Sequence, residues 1–161
     1  MKLPGGRKAI IAIIPVALLI GGFAGYTQIA HASAPAVPDP GVGQHGAMLA
    51  LDSRVINLAP GGAYRYAKVA VTVELRPDSA SFYAMTGDAR ANAETAITSE
   101  YTDDVPLLLD ALGQVVSAKT SDDLVSAAGR DALKSQLLAA MRQAIGQKPV
   151  IDVYLTDFVM Q

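Results

Sequence analysis

Between Ala9 and Pro38 the chain carries no Asp, Glu, Lys or Arg. The first 22 of these residues, Ala9 to Ala30 (AIIAIIPVALLIGGFAGYTQIA), have only Thr27 and Gln28 clearly polar. As a helix they would rise about 33 Å at about 1.5 Å per residue, enough for a hydrocarbon core of roughly 30 Å. Few helices of globular proteins are apolar on every face, so residues 9–30 read as a transmembrane helix behind a short N-terminus, 1–8. Ala9, Ile14 and Leu19 belong to its apolar surface, and Tyr26 sits near the distal end, where an aromatic ring favours the lipid–water interface. Lys2, Arg7 and Lys8 flank only the N-terminal side. The positive-inside bias then puts Met1 in the cytoplasm and everything after Ala30 outside a bacterial inner membrane. Ala17, Gly21 and Gly25 form a row of small residues four apart, a face that lets helices approach closely. The same stretch also admits a cleaved signal peptide, with Ala30-His31-Ala32 or Ala32-Ser33-Ala34 as the site. A signal h-region usually runs about 7–15 residues, shorter than this one, so the uncleaved anchor is preferred. Either way the remainder is exported.

The total of 161 residues suits one globular domain plus appendages. Residues 31–47 read as a linker: His31 to Gly46 (HASAPAVPDPGVGQHG) has one charged residue, Asp39, and no periodicity that could bury a face. Pro35, Pro38 and Pro40 stiffen it toward polyproline II, in which 16 residues could reach roughly 50 Å. The folded domain is then 48–161. With no cysteine, a disulfide framework, a thiolate metal site and a cysteine nucleophile are excluded. Beyond residue 8 the chain keeps 10 basic residues against 15 acidic ones, a net charge of −5. Nucleic-acid binding, which requires a basic footprint, is excluded.

Within the domain, Arg54 to Leu58 predicts a strand and Ala59-Pro60-Gly61-Gly62 a turn. Tyr64 to Arg76 alternates strongly, with Ala67, Val69, Val71, Val73 and Leu75 on one face and Tyr66, Lys68, Thr72 and Glu74 on a solvated one. Residues 78–88 read as a loop. Ala93, Ile97, Tyr101, Val105, Leu108, Leu112, Val115 and Val116 then follow a helical period. Pro106 requires either two abutting helices or one kinked near Asp104. Ser121 is expected to cap a short turn through Leu124. Ser126 should cap a further helix to about Ile145, which buries Leu133, Leu137, Leu138, Met141 and Ile145 and stops at Gly146. Val150 to Met160 reads as a last strand. The order β-β-α-α-β predicts an α+β fold, a small antiparallel sheet packed with about three helices on one face.

The search for chemistry is nearly empty. Both histidines, His31 and His45, fall in the linker, where solvated side chains are far commoner than a held metal pair. Asp103-Asp104 and Asp122-Asp123 lie beside helix starts, where the dipole and unpaired N–H groups account for them. There is no glycine-rich phosphate loop. Tyr154 and Phe158 are four apart and could share a face, with core packing the first expectation. No catalytic, cofactor or metal residue is assigned and no small-molecule substrate is implied. A hydrolase using Asp103, Asp104 or Asp110 is the rival among enzymes; an anchored or secreted ligand-binding module is the rival among binding proteins.

One resemblance adds to this. Val55-Ile56-Asn57-Leu58, then Arg65-Tyr66-Ala67-Lys68-Val69 and the alternating VTVEL come first. Pro106 to Leu112, Ser117 to Ser121 with Asp123-Leu124, Gly129-Arg130-Asp131-Ala132-Leu133-Lys134 and the terminal Val153 to Gln161 follow. In order and spacing, behind a single span and linker, these segments resemble the flagellar basal-body-associated FliL family. The match departs over 78–101, and Leu155 replaces an expected aromatic. The signature residues carried over are Asn57, Leu58, Arg65, Tyr66, Gly129, Arg130, Leu133, Tyr154, Thr156, Asp157, Phe158 and Gln161, all in structural roles. The resemblance implies a single-pass inner-membrane protein with a periplasmic domain similar to the stomatin/SPFH fold. It also implies association with the ion-driven stator, MotA and MotB, as a homo-oligomeric ring that supports torque, motility and swarming.

Overall fold

The computed structural model describes residues 40–146 and 149–161. The expected anchor, with Ala9, Ile14, Leu19, Gly21, Gly25 and Tyr26, and the linker before Pro40 lie outside the described residues. Among the described residues, no helix is long and apolar enough to cross a membrane.

Strands β1 (Ala47–Ala50), β2 (Arg54–Asn57), β3 (Tyr66–Leu75) and β4 (Val150–Met160) form one antiparallel sheet. The alternating, β-branched β3 is its spine. On one side it pairs with β4, from Ala67 opposite Met160 to Leu75 opposite Val150. On the other side β1 and β2 lie end to end, β1 against residues 72–75 and β2 against 66–69. Three residues, Leu51-Asp52-Ser53, oppose only Ala70 and Val71 there, so the edge bulges; Leu51 N–H still donates to Val71 O at 2.9 Å. The linker reading ran one residue too far, because Ala47 already belongs to β1 and is fully buried.

Ala67, Val69, Val71, Val73 and Leu75 are all buried, as the alternation predicts. Full burial of a valine or leucine side chain contributes about 1.5–3 kcal/mol, so this row anchors the core. Four helices cover it: α1 (Gly87–Glu100), α2 (Val105–Ser117), α3 (Ser121–Val125) and α4 (Ala127–Ile145). The expected third helix is therefore the fourth. Pro106 resolves into two abutting helices, separated by a 3₁₀ turn at Thr102–Asp104. It stands in the first turn of α2, where a missing N–H forfeits no bond. α2 buries Leu108, Ala111, Leu112 and Val116, and α4 buries Leu133, Leu137 and Met141 at a spacing of four. Ser126 Oγ accepts the Gly129 N–H at 2.9 Å, and Gly146 ends α4 at φ 101°. By contrast α1 buries no residue fully; Ala93, Ile97 and Tyr101 are only half-covered.

Three expectations need correction. The cap of α3 is Thr120, not Ser121: Thr120 Oγ1 accepts the Asp123 N–H at 3.2 Å while Asp123 Oδ2 accepts the Thr120 N–H at 2.9 Å. Ser121 is instead buried and accepts the Tyr64 N–H at 3.3 Å, tying the β2–β3 loop to this helix. Gly62, at φ 79°, lets that loop close, since a Cβ there would stand 2.0 Å from Ser121 Oγ. Second, Glu74 is not on a solvated surface; it is 2% exposed. Third, Tyr154 and Phe158 do not share a face. Thr156 is an extra residue in β4, so Tyr154 pairs with Thr72 on the outer face and Phe158 with Val69 on the core face. One inserted residue reverses the alternation beyond it.

Candidate functional site

The signature residues gather in three places. Asn57, Leu58, Arg65, Tyr66 and Gln161 meet at one end of the sheet. Leu58 N–H donates to Arg65 O, Arg65 and Tyr66 N–H both donate to Gln161 O, and Gln161 N–H returns to Tyr66 O, each at 2.9 Å. Asp157 and Phe158 lie alongside, with exposed Thr156 at the bulge before them. A second group opens α4: a Cβ on Gly129 would stand 1.8 Å from Asp123 O, which explains the glycine. Arg130 there donates to Val125 O at 2.8 Å and Leu124 O at 3.3 Å, closing the end of α3, and Leu133 is buried. Tyr154 stands apart from both groups.

Around Tyr154 the outer sheet face carries a polar network. Tyr154 O–H donates to Glu74 Oε2 at 2.5 Å, and Gly46 N–H donates to Glu74 Oε1 at 2.6 Å. His45 Nδ1 lies 3.9 Å from the same Oε1, and the His45 side chain is solvent-exposed, as expected. Lys134 reaches from α4 to Asp152 Oδ2 at 2.9 Å and stands 4.8 Å from the Tyr154 ring centroid. Donation to the Glu74 carboxylate, then burial, hold the Tyr154 hydroxyl well above the usual tyrosine range. Burial chiefly, with nearby Asp78, Glu100 and Asp104, raises Tyr101 as well. Both Glu74 oxygens are thus engaged in holding neighbours.

At the opposite end the same face is open and apolar. Val55 is 71% exposed, Tyr66 49% and Val159 43%. Val55 and Val159 flank Lys68 across three strands, and Tyr66 lies one pair further on. Lys68 Nζ pairs with Asp157 Oδ2 at 2.9 Å, an exposed bridge that fixes orientation more than it stabilises. Polar groups spaced between exposed apolar ones suit contact with another protein.

Asp110 accepts from Gln114 Nε2 at 2.6 Å on the surface of α2, and Asp123 completes the capping box. Asp103 and Asp104 sit in the 3₁₀ turn, and Asp104, the residue before α2, makes no side-chain capping bond there, contrary to expectation. Among the described residues no three His, Cys, Asp or Glu side chains are grouped to hold a metal.

Fold and surface define a small α+β domain with an exposed apolar patch on its sheet. The family described as flagellar basal body-associated protein FliL matches residues 48–161. The chain is also 30% identical over 129 residues to the flagellar protein FliL of Aquifex aeolicus (strain VF5), covering 80% of this chain and 68% of that protein. The chain belongs to the FliL family, whose members are associated with the flagellar basal body. The reading as a module unrelated to flagella is thereby overturned.

Proposed function

We propose that this protein is a single-pass inner-membrane accessory of the flagellar motor, whose periplasmic domain binds the ion-driven stator, MotA and MotB, as a homo-oligomeric ring. The observation that carries the reading is the order of parts. A domain of the flagellar basal-body family, residues 48–161, follows directly on a Pro/Gly-rich stretch and an uncharged apolar run long enough to span a bilayer. Such an arrangement holds a small rigid domain within reach of a membrane machine. Repeating one heterologous contact closes a ring where the rotation permits. A ring that binds the active stator better than the inactive form shifts that equilibrium by its differential affinity. The open face at Val55, Tyr66 and Val159 is the surface offered for the contact.

The test is deletion of the gene with complementation. Loss of swimming speed, of torque at high load and of stator occupancy, all restored by the full chain and not by residues 48–161 alone, is the expected result. Unchanged motility and occupancy would sink the proposal.

A further inference from the structure

Helix α1 sits at the margin of the core, against which only Ala93 and Ile97 partly pack. It buries no side chain completely, yet it lies along β1. The contacts that seat it are polar and point at the chain leading into β1. Arg90 NH2 donates to His45 O at 2.7 Å and Gly46 O at 3.2 Å. One turn further along α1, Glu94 Oε1 accepts the Met48 N–H at 2.7 Å. Arg90 is itself fixed from the other side: NH1 donates to Phe82 O at 3.2 Å and the guanidinium lies 3.8 Å above the buried Phe82 ring. Residues four apart share one face of a helix, so Arg90 and Glu94 act together.

Beneath this clamp residues 45–48 are fitted to the sheet. A Cβ on Gly46 would stand 2.1 Å from Leu75 O, and Glu74 holds the Gly46 N–H. β1 itself is short: its four residues pair with 72–75, Ala47 is buried in the core, and the edge bulges away from β3 after Ala50. Helix and strap thus each make limited core contact and share their polar contacts.

We propose that α1 and residues 45–50 form one cooperative unit, in which Arg90 and Glu94 couple the seating of the helix to the seating of the strap that leads from the N-terminal segment. The unit docks or releases as a whole while the sheet and α2–α4 stay folded. Coupling of this kind is reciprocal: whatever binds the exposed side of α1 changes how firmly the strap is seated, and whatever displaces the strap loosens α1. The inference deepens the proposed function, because the strap joins the domain to the expected anchor, but its test does not depend on motility.

The test is amide hydrogen exchange on the purified full chain in detergent, comparing wild type with Arg90→Ala, Glu94→Ala and Glu94→Gln. Arg90→Ala and Glu94→Ala should speed exchange by tenfold or more in segments covering 45–50 and 87–100 together. Exchange in 66–69, which pairs with β2 and β4, and in 127–145 should stay unchanged, while the amides of 72–75 that pair with β1 follow the strap. Glu94→Gln keeps an acceptor for the Met48 N–H and should remain near wild type. Loosening of the helix without the strap, of the strap without the helix, or of neither overturns the proposal. So does a loss of protection in 66–69 or 127–145, which make no pairing with the strap. If motility fails to depend on the gene while the coupled exchange is seen, the stator reading falls and this inference stands.

Discussion

Single residues divide into those whose role is local and those whose role depends on distant partners. Gly129 is local: its absent Cβ leaves room for Asp123 O, so Gly129→Ala must push the start of α4 away from α3. Overpacking of this kind costs about 1–3 kcal/mol, to be read from urea denaturation. Asp123 is local too, and its carboxyl is held below the usual 3.8 by the Thr120 main-chain N–H first and the Thr120 side chain second. A depressed carboxyl stabilises fully above its unfolded value and loses that contribution as pH falls through its folded value. The stability gap between wild type and Asp123→Ala should therefore be full at neutral pH and shrink on acidification below about 3.8, followed by denaturation at stepped pH. Tyr154 behaves oppositely. Its hydroxyl is raised above the usual 10.0, so its contribution is whole below that value and fades as pH climbs toward the raised one. Absorbance titration should find two tyrosines, Tyr101 and Tyr154, ionising late in wild type and only Tyr101 doing so in Tyr154→Phe. That variant should also lose about 1–3 kcal/mol through the buried Glu74 carboxylate it leaves short of a donor. The capping role of Thr120 was legible in its spacing to Asp123, an acid three residues on, although Ser121 drew attention first. The burial of Glu74 was not legible, because its covering groups, Gly46 and Tyr154, stand 28 and 80 residues away in sequence.

Among the elements, those with strong periodicity were readable. The core face of β3, the break at Pro106, and the start and stop of α4 at Ser126 and Gly146 follow from pattern and cap chemistry alone. β1 was not readable: four residues give too little alternation, and its identity as a strand comes from pairing with 72–75. Nor was the bulge at Thr156, since nothing in Leu155-Thr156-Asp157 marks an extra residue until β4 is laid against β3. Deleting Thr156 removes the bulge and leaves Leu155, Asp157 and Phe158 opposite Val71, Ala70 and Val69, on the faces they already occupy. The deletion variant should therefore keep a cooperative unfolding transition in urea, as should Thr156→Ala. Inserting a second residue beside Thr156 should abolish it by turning Asp157 inward and Phe158 outward. The helices should also differ in weight. Leu112→Ala, in the buried face of α2, should cost about 2–5 kcal/mol in urea denaturation, and Ile97→Ala, on the half-covered face of α1, markedly less.

For the molecule as a whole, the sequence conveyed the α+β class of fold and the family. It did not convey the exposed patch proposed for contact, because Val55, Tyr66 and Val159 come from three strands and meet only through the pairing of β2, β3 and β4. Val55→Asp and Val159→Asp replace exposed side chains and should leave stability within about 0.5 kcal/mol. Motility of cells carrying either variant should nevertheless fall toward that of the deletion strain, scored by swimming speed at unchanged protein level. A last consequence follows from the carboxylate that Glu94 lays on the outward amide of Met48. An unpaired strand flank is an invitation for a neighbouring chain to add to the sheet and aggregate. Here a helix side chain occupies that flank at β1, so any lateral growth of the sheet on this side must begin at the short β2, beyond the kink, where the flank offers only four residues for a stranger to read.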